Sequence, residues 1–241
     1  MHRVRFRDPA GSIRAGNWED GEIHFGGESY HSNEIDILPP SEPTKIVCIG
    51  RNYAAHAEER DEEVPDRPLL FLKPPNTLAG HDDTATLPEN RYIEHEAELA
   101  VVIGEQCRNV SEEEADEVIA GYTCFDDLSN RDDQDEEQNW VRGKAFDNAA
   151  PMGPVLATPE EVSDDARIQL RVNGEKRQDS TLDHLIFSIP ELITEITQYM
   201  TLEPGDVIAT GTPEGVGPLE DGDEVEVEIE GIGTLEHSVR Q

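Results

Sequence analysis

The sequence predicts a β-rich α+β fold, a mixed β-sandwich or roll that carries a few helices. Short apolar stretches alternate with polar residues, as around Val4 and Phe6, and Pro-Gly, Asp-Gly and Asn-Gly pairs typical of tight turns separate them. Strand-like segments outnumber helix-like ones and do not alternate with them regularly. This pattern argues against a doubly wound parallel sheet.

Residues 1–43 are expected to form a small N-terminal β domain. They contain short alternating stretches interrupted by glycines and end in the proline-rich segment 39–43. Such a segment is typical of a linker, because proline neither continues a helix nor donates to a sheet. We therefore expect a boundary there and a second, catalytic domain over residues 44–241.

The second domain alternates strands with a few helices. The acidic stretch 54–63 is helix-prone, and Ser111 has the capping pattern that begins a helix over 112–120. A further helix over 185–200 has apolar residues at helical spacing and is expected to begin near Ser188. Buried strands are expected at residues 46–49, 69–73 and 94–103.

The composition is strongly acidic. The 241 residues include 54 aspartates and glutamates against 19 lysines and arginines, so the formal net charge is −35 and the pI is about 4.3. Such a surface repels phosphate backbones and anionic lipids, and we expect neither a nucleic-acid partner nor a membrane. The apolar runs are too short for a membrane span and no apolar signal segment opens the chain, which predicts a cytoplasmic protein.

Lysine is scarce, with four lysines against fifteen arginines. Acidic, lysine-poor surfaces are typical of salt-accumulating cytoplasms, where molar salt shortens the Debye length to about 3 Å and screens carboxylate repulsion. We expect a halophile-like protein; an acidic metal buffer or nucleic-acid mimic is the alternative. The cysteines, Cys48, Cys107 and Cys124, form no CxxC pair and are expected to be buried free thiols.

Two carboxylate-bearing segments follow strand patterns. In the strand 94–103, alternation places Glu96 and Glu98 on one face. Burying two adjacent carboxylates without a counter-charge costs several kcal/mol each, so a divalent cation is a simple solution. Asp126 and Asp127 end another apolar strand and could add an oxygen ligand of the kind Mg²⁺ or Mn²⁺ prefers. A solvated strand end in an acid-rich protein is the alternative.

Two lysines and one histidine are further candidates. Because lysine is scarce, Lys73 at a strand end and Lys144 beside apolar residues are expected to have functions, with a salt bridge as the alternative. His56 and Glu59 stand at i and i+3 and could form a hydrogen-bonded base on one helix face. A surface histidine in an acidic helix is the alternative reading of this pair.

Several catalytic signatures are incomplete. The glycine-rich segment 211–217 lacks the Lys-Ser/Thr of a phosphate-binding loop, and residues 95–99 lack the second histidine of a zinc protease helix. No GxSxG elbow occurs. Nucleotide hydrolysis and these two hydrolase classes are therefore not expected.

Over about residues 44–240 the chain resembles the fumarylacetoacetate hydrolase family. The segments that carry the resemblance include GRNYAAH at 50–56, LFLKP at 70–74, EAELAVVIG at 96–104, GKAFD at 143–147 and TGTPEGVG at 210–217. The resemblance implies the family's mixed β-sandwich roll, a divalent metal and a homodimer. Since His56 ends the first segment and Glu59 follows three residues later, the chain is similar to the short acylpyruvase and oxaloacetate-active branch.

Carried over by position, the resemblance implies that Glu96, Glu98 and Asp127 are metal ligands and that His56 and Glu59 form a water-activating dyad on a lid helix. It adds Lys144 as a catalytic residue, and substrate-binding residues are expected at Arg131, Gln134, Thr212 and Lys73. There are two departures from the family pattern: Asp126 stands where the family often has Asn, and the lid, residues 58–63, is unusually acidic.

The activity implied is hydrolytic C–C cleavage of acylpyruvates such as fumarylpyruvate, with oxaloacetate decarboxylase or tautomerase activity beside it. The expected cofactor is Mg²⁺, with Mn²⁺ or Ca²⁺ as alternatives, and the expected ligand is a small 2-oxo or 2,4-dioxo acid. The alternative enzyme is a 2-hydroxyhepta-2,4-diene-1,7-dioate isomerase. An inactive metal-binding structural protein is the alternative of another class.

Overall fold

The computed structural model describes residues 2–19, 21–60 and 63–241, in which strands predominate. The strands are β1 (His2–Arg7), β2 (Ile13–Glu19), β3 (Glu22–Phe25), β4 (Glu28–His31), β5 (Asp36–Leu38), β6 (Ile46–Gly50), β7 (Leu69–Lys73), β8 (Leu78–Ala79), β9 (Thr84–Thr86), β10 (Ile93–His95), β11 (Ala97–Ile103), β12 (Ile119–Asp126), β13 (Ser129–Asn130), β14 (Ala150–Ala157), β15 (Arg167–Val172), β16 (Glu175–Thr181), β17 (Val207–Ala209), β18 (Gly217–Pro218), β19 (Glu224–Ile229) and β20 (Gly233–Arg240).

Helices are few and short. The α-helices are α1 (Ala54–Glu59), α2 (Arg131–Glu136), α3 (Val141–Lys144) and α4 (Ile189–Tyr199), and 3₁₀ turns occur at Ser32–Glu34, Pro75–Thr77, Glu112–Val118, Pro159–Glu161 and Leu182–His184. The predicted β-rich α+β class is confirmed. Among the described residues no helix has both the length and the apolar character that crossing a bilayer requires.

Two sheets pack face to face and share a core. The larger has twelve strands in the order β4-β3-β2-β1-β14-β12-β11-β17-β6-β7, with β5 beside β1 and β8 beside β14. The smaller has the order β16-β15-β19-β20-β9, and a short third sheet is β13-β10-β18. Leu99 and Val101 pack with Ile168 and Val227 of the smaller sheet, whereas Ala100 belongs to a second cluster on the other face of β11.

The N-terminal strands β1–β5 extend the larger sheet. β1 pairs with β14, where Arg3 lies opposite Leu156, and Val4 and Phe6 join the main apolar cluster. The boundary near residue 43 stays a prediction. The three cysteines are buried and free, as expected.

The helix expected over 185–200 is confirmed as α4, which Ser188 caps through a reciprocal contact with Glu191. The helix expected over 112–120 is wrong in its second part. Ser111 does form a capping box, but the 3₁₀ turn ends at Val118 and β12 begins at the next residue. Pairing of β12 with β11 and β14 outweighs the local helix signal, since strand propensity depends on tertiary context.

The helix expected over 54–63 begins as predicted but is shorter. α1 ends at Glu59, with Arg60 at its C-cap. Two residues of the expected acidic lid, Asp61 and Glu62, lie outside the described part of the chain.

Candidate active site

Three buried carboxylates meet at one end of two interior strands of the larger sheet, where β11 begins and β12 ends. Glu96 lies in the gap before β11, Glu98 is the second residue of β11, and Asp127 follows β12 directly. Because the two strands are antiparallel neighbours, with Ala97 opposite Asp126, their ends coincide. One oxygen from each carboxylate lies within 4.8 Å of the other two.

Positive side chains neutralise two of these carboxylates. Lys144 Nζ donates to Glu96 Oε2 at 2.7 Å and to Asp127 Oδ2 at 2.8 Å, and Arg131 bonds to Glu96 and, at 2.6 Å, to Glu94. Burial alone raises the pKa of Glu96, but Arg131 and Lys144 outweigh it and hold this pKa well below its usual range. Burial lowers the pKa of Lys144, but Asp127 and Glu96 outweigh that effect and keep the ammonium charged.

Glu98 is in a different electrostatic position. Within the described residues it forms no ion pair, and its Oε2 accepts a hydrogen bond from the Gly211 N–H at 2.9 Å. Burial, reinforced by the charges of Asp127 and Glu96, raises the pKa of Glu98 well above its usual range. The cluster therefore lacks positive charge at Glu98.

The carboxylate cluster fits a hard divalent cation. Among the described residues Asp127 Oδ1 accepts no hydrogen bond although it is buried, and Glu98 lacks a counter-charge. Three carboxylates with free oxygen lone pairs are the donor set that Mg²⁺ or Mn²⁺ prefers, and they leave coordination positions for water or substrate. Glu96, Glu98 and Asp127 could therefore hold such an ion together.

Lys73 lies behind Asp127 rather than in the cavity lining. Its Nζ is 2.7 Å from Asp127 Oδ1, an ion pair without hydrogen-bond geometry, and donates to the carbonyls of Ala149 at 2.8 Å and Leu128 at 3.2 Å. The side chain has no exposed surface. This placement argues against the substrate contact expected for Lys73, because Lys73 does not line the cavity.

Helix α1 carries the expected dyad, and its His56 lines the same cavity as the carboxylates. His56 Nδ1 is 3.4 Å from Glu59 Oε2. Both oxygens of Glu59 also lie 3.2 Å from the Gly215 N–H, and Arg60 forms an ion pair with Glu94. These contacts attach α1 to β10 and to a loop that we call the 210–216 loop, which follows β17.

Most of the expected site residues share one cavity of about 470 Å³. Eight of the ten line it: His56, Glu96, Glu98, Asp127, Arg131, Gln134, Lys144 and Thr212. Glu59 reaches it through His56, and Lys73 lies behind it. Arg51, Arg60, Phe71 and Trp140 also line the cavity, although none of them was among the expected site residues.

Buried polar residues hold the carboxylate segments in place. Asp126 was expected as a possible oxygen ligand, whereas His237 and Gln178 were not assigned to the site from the sequence. Asp126 Oδ1 accepts from the Glu96 N–H at 2.7 Å, and its Oδ2 lies 2.8 Å from His237 Nε2. Gln178 accepts from the Ala97 N–H at 2.9 Å. His237 and Gln178 belong to the smaller sheet, so no local pattern near the carboxylates marks them.

A second group with metal-ligand side chains, His81, Asp82 and Glu236, lies outside this cavity. His81 Nδ1 accepts a hydrogen bond from the Glu236 N–H at 3.1 Å. The proton of a neutral imidazole is then on Nε2, which cannot ligate a metal while it carries that proton. This geometry disfavours a metal site there.

Known proteins share this fold and much of this sequence. Oxaloacetate tautomerase YisK of Bacillus subtilis is 40% identical over 230 residues, 89% of this chain and 76% of that protein. A crystal structure of 5-carboxymethyl-2-hydroxymuconate delta-isomerase from Mycobacterium smegmatis is 39% identical with a TM-score of 0.91, covering 100% of this chain and 98% of that one. A fumarylpyruvate hydrolase from Pseudomonas aeruginosa in complex with Mn²⁺ and pyruvate is 34% identical with a TM-score of 0.77, covering 85% and 91%.

These likenesses confirm the roll that the resemblance implied. Residues 45–240 match the family described as fumarylacetoacetate (FAA) hydrolase C-terminal. This match spans all three carboxylates, Lys144 and the 210–216 loop. The chain therefore belongs to the fumarylacetoacetate hydrolase family.

Proposed function

We propose that the chain is a Mg²⁺- or Mn²⁺-dependent enzyme that hydrolyses the C3–C4 bond of acylpyruvates, 2,4-dioxo acids of the fumarylpyruvate type. One observation carries the proposal: three buried carboxylates converge on a cavity that is also lined by His56, the proton acceptor of a His–Glu pair. A metal-ligand set and a general base are thus available to one bound molecule.

The carboxylates Glu96, Glu98 and Asp127 would hold the cation. When bound, the cation supplies Lewis acidity and a template for the carboxylate and keto oxygens of a 2-oxo acid. The chain's own cations favour the same ligand, because Arg131 and Lys144 line the cavity. Arg131 Nη1 donates to Gln134 Oε1 at 2.6 Å, which leaves the Gln134 amide hydrogens available as donors.

For hydrolysis, His56 takes a proton from a water molecule whose oxygen attacks C4. Glu59 accepts the Nδ1–H of His56 and so stabilises the imidazolium that forms. The C3–C4 bond then breaks, its electron pair remains on the pyruvate fragment as an enolate, and C4 leaves as a carboxylic acid. Lys144, held charged, stabilises the enolate, and the proton on His56 returns to C3 to give pyruvate.

Tautomerisation of oxaloacetate is the second candidate, with decarboxylation of oxaloacetate beside it. It is favoured by the 40% identity to oxaloacetate tautomerase YisK, and it uses the same enolate stabilisation without attack by water. Isomerisation of a 2-hydroxy-dienedioate is the third candidate, because the structure from Mycobacterium smegmatis is that of a delta-isomerase. Only hydrolysis requires His56 as a base for water.

The test is a substrate panel in molar KCl with Mg²⁺ or Mn²⁺. Fumarylpyruvate, a neutral-tailed acylpyruvate, oxaloacetate and the dienedioate are compared, with pyruvate, enol absorbance and CO₂ as readouts. We expect acylpyruvates to release pyruvate. A chelator should abolish this release, and added Mn²⁺ should restore it. Turnover that Glu98→Ala leaves unchanged would refute the site, and no turnover of any compound would support the inactive structural protein.

Four further properties belong to this proposal. The net charge of −35 supports a halophile-like protein that needs salt. We also propose a cytoplasmic location and, on the family resemblance, a homodimer. Residues 1–43 are proposed as a small N-terminal β domain whose strands extend the larger sheet. Sedimentation at high and low salt tests the dimer and the salt requirement together.

A further inference from the structure

Gln178 is fully buried on β16, outside the cavity lining. Its Oε1 accepts from the Ala97 N–H at 2.9 Å and lies 3.2 Å from His95 Nδ1. Its Nε2 donates to Thr212 Oγ1 at 2.8 Å and to the Pro213 carbonyl at 2.8 Å. One side chain from the smaller sheet therefore joins the metal-ligand strand to the 210–216 loop.

The chemistry of its partners determines the orientation of this amide. The Ala97 N–H can only donate and the Pro213 carbonyl can only accept, so oxygen must face β11 and nitrogen must face the loop. His95 consequently donates through Nδ1. Both amide hydrogens and the amide oxygen of Gln178 are in use, which no other side chain of this size and neutral charge can reproduce.

This orientation has a consequence for Thr212. Because Thr212 Oγ1 accepts from Gln178, the hydroxyl proton points to a different acceptor. Among the described residues no acceptor receives that proton, and Thr212 lines the cavity at 4% exposure. The hydroxyl is therefore a donor available to a molecule in the cavity.

The 210–216 loop carries two further contacts of the site. The Gly211 N–H donates to Glu98 at 2.9 Å, and the Gly215 N–H lies 3.2 Å from both oxygens of Glu59. The loop packs closely on β16 beside Gln178: Gly215 has a φ of +92°, and a Cβ there would lie 2.3 Å from the Arg177 carbonyl. Movement of this loop would thus disturb a metal ligand, the dyad and Thr212 together.

We infer that Gln178 is a positioning residue that orients the Thr212 hydroxyl as a hydrogen-bond donor to the substrate and anchors the 210–216 loop to the strand of Glu96 and Glu98. The inference rests on the proposed function for the identity of the acceptor, a carboxylate or keto oxygen of a 2-oxo acid. Gln178 itself touches no substrate.

The test is a double-mutant cycle of Gln178→Met and Thr212→Val, with Thr212→Ser as the variant that keeps the hydroxyl. Thr212→Val removes the proposed hydrogen bond to a charged ligand, and Gln178→Met removes the contact that orients it. Each change is expected to lower kcat/KM by roughly 10- to 100-fold. The double variant is expected to lose no more than the worse single one, because both act on the same hydroxyl. In the Thr212→Ser background, Gln178→Met should lower kcat/KM as much as it does in the wild type.

Gln169→Met is the matched control. Gln169 lies on the neighbouring strand β15 at 8% exposure and bonds to Asp179 at 3.0 Å, away from the cavity. It is expected to change thermal stability without changing kcat/KM. The inference would be overturned if the losses in kcat/KM of the two single variants multiplied in the Gln178–Thr212 double variant. It would also be overturned if Gln169→Met lowered kcat/KM as much as Gln178→Met does.

Two readouts do not depend on turnover. The first is the Kd of pyruvate for the Mn²⁺-loaded protein. The effects of Gln178→Met and Thr212→Val on this Kd should be non-additive. The second is amide hydrogen exchange of residues 210–216, which should be at least about tenfold faster in Gln178→Met and unchanged in Gln169→Met. If the wild type turned over no 2-oxo acid, the proposed function would fail, while unchanged exchange in Gln178→Met would refute the anchor independently.

Discussion

Replacing Lys73 by methionine should separate the stability of the metal-free protein from its affinity for metal. The change removes a buried ammonium that lies 2.7 Å from Asp127 Oδ1 and keeps most of the side-chain volume. Breaking a buried ion pair costs about 3–5 kcal/mol. Because Lys144 still pairs with Asp127 at 2.8 Å, we expect a loss near the lower end, about 3 kcal/mol in the free energy of unfolding without metal.

The effect on metal affinity should have the opposite sign. Two unit charges 4 Å apart repel by about 1 kcal/mol even at the dielectric constant of water, and a divalent ion doubles this. Removing the Lys73 charge should therefore tighten Mn²⁺ binding at least about 30-fold. Urea unfolding and Mn²⁺ calorimetry in molar KCl measure the two quantities.

Lys45→Met is the matched control, since Lys45 pairs with the distant Asp206. It should lower stability and leave Mn²⁺ affinity unchanged. Weaker Mn²⁺ binding in Lys73→Met would show that Lys73 positions Asp127 rather than opposing the metal charge. A raised KM with unchanged Mn²⁺ affinity would support the substrate contact that the structure argues against.

Three further changes test other parts of the site and fold. His56→Ala should lower kcat for hydrolysis at least about 100-fold with Mn²⁺ affinity unchanged; a parallel loss of both would contradict the role of a base. Burial and neighbouring carboxylates raise the pKa of Glu98, so Glu98→Gln, which mimics the protonated acid, should raise metal-free stability at pH 7 while weakening Mn²⁺ binding; a lower melting temperature without metal would refute this. Burial raises the pKa of Asp206, but hydrogen bonds from the Glu203 N–H and Lys45 outweigh it and lower the pKa. Its stabilisation is therefore present at neutral pH and lost as pH falls below the usual carboxyl range. Asp206→Asn should cost about 2 kcal/mol at pH 7 and progressively less towards pH 3 in urea titrations, and a constant difference would contradict the assignment.

Local patterns predicted the parts of the molecule that local forces determine. Ser188 and Glu191 begin α4 as expected, because a capping box depends only on neighbouring residues. Strand alternation places Ala100 and Leu99 on opposite faces of β11, and the two buried clusters agree. The capping box at Ser111 was likewise correct, but the strand that follows it is determined by its partners in the sheet.

The residues that support the carboxylates could not be predicted in this way. Gln178 and His237 reach the carboxylate segments from the smaller sheet, so their roles depend on how two sheets pack. The position of Lys73 behind Asp127 depends on the pairing of β6 with β7, which the sequence of β7 alone does not reveal. The family resemblance named the carboxylates that we propose as metal ligands. The residues that support them required the three-dimensional structure.

The sheet order has a consequence for how this protein is made. β17 lies between β11 and β6 in the sheet but is synthesised long after both of them. Until residues 207–211 leave the ribosome, β6 and β11 lack the strand that joins them, and Glu98 lacks the Gly211 amide. Such non-local pairing forms late in folding. The proposed metal site is therefore completed near the end of synthesis, so Mn²⁺ affinity would report whether a chain has folded completely.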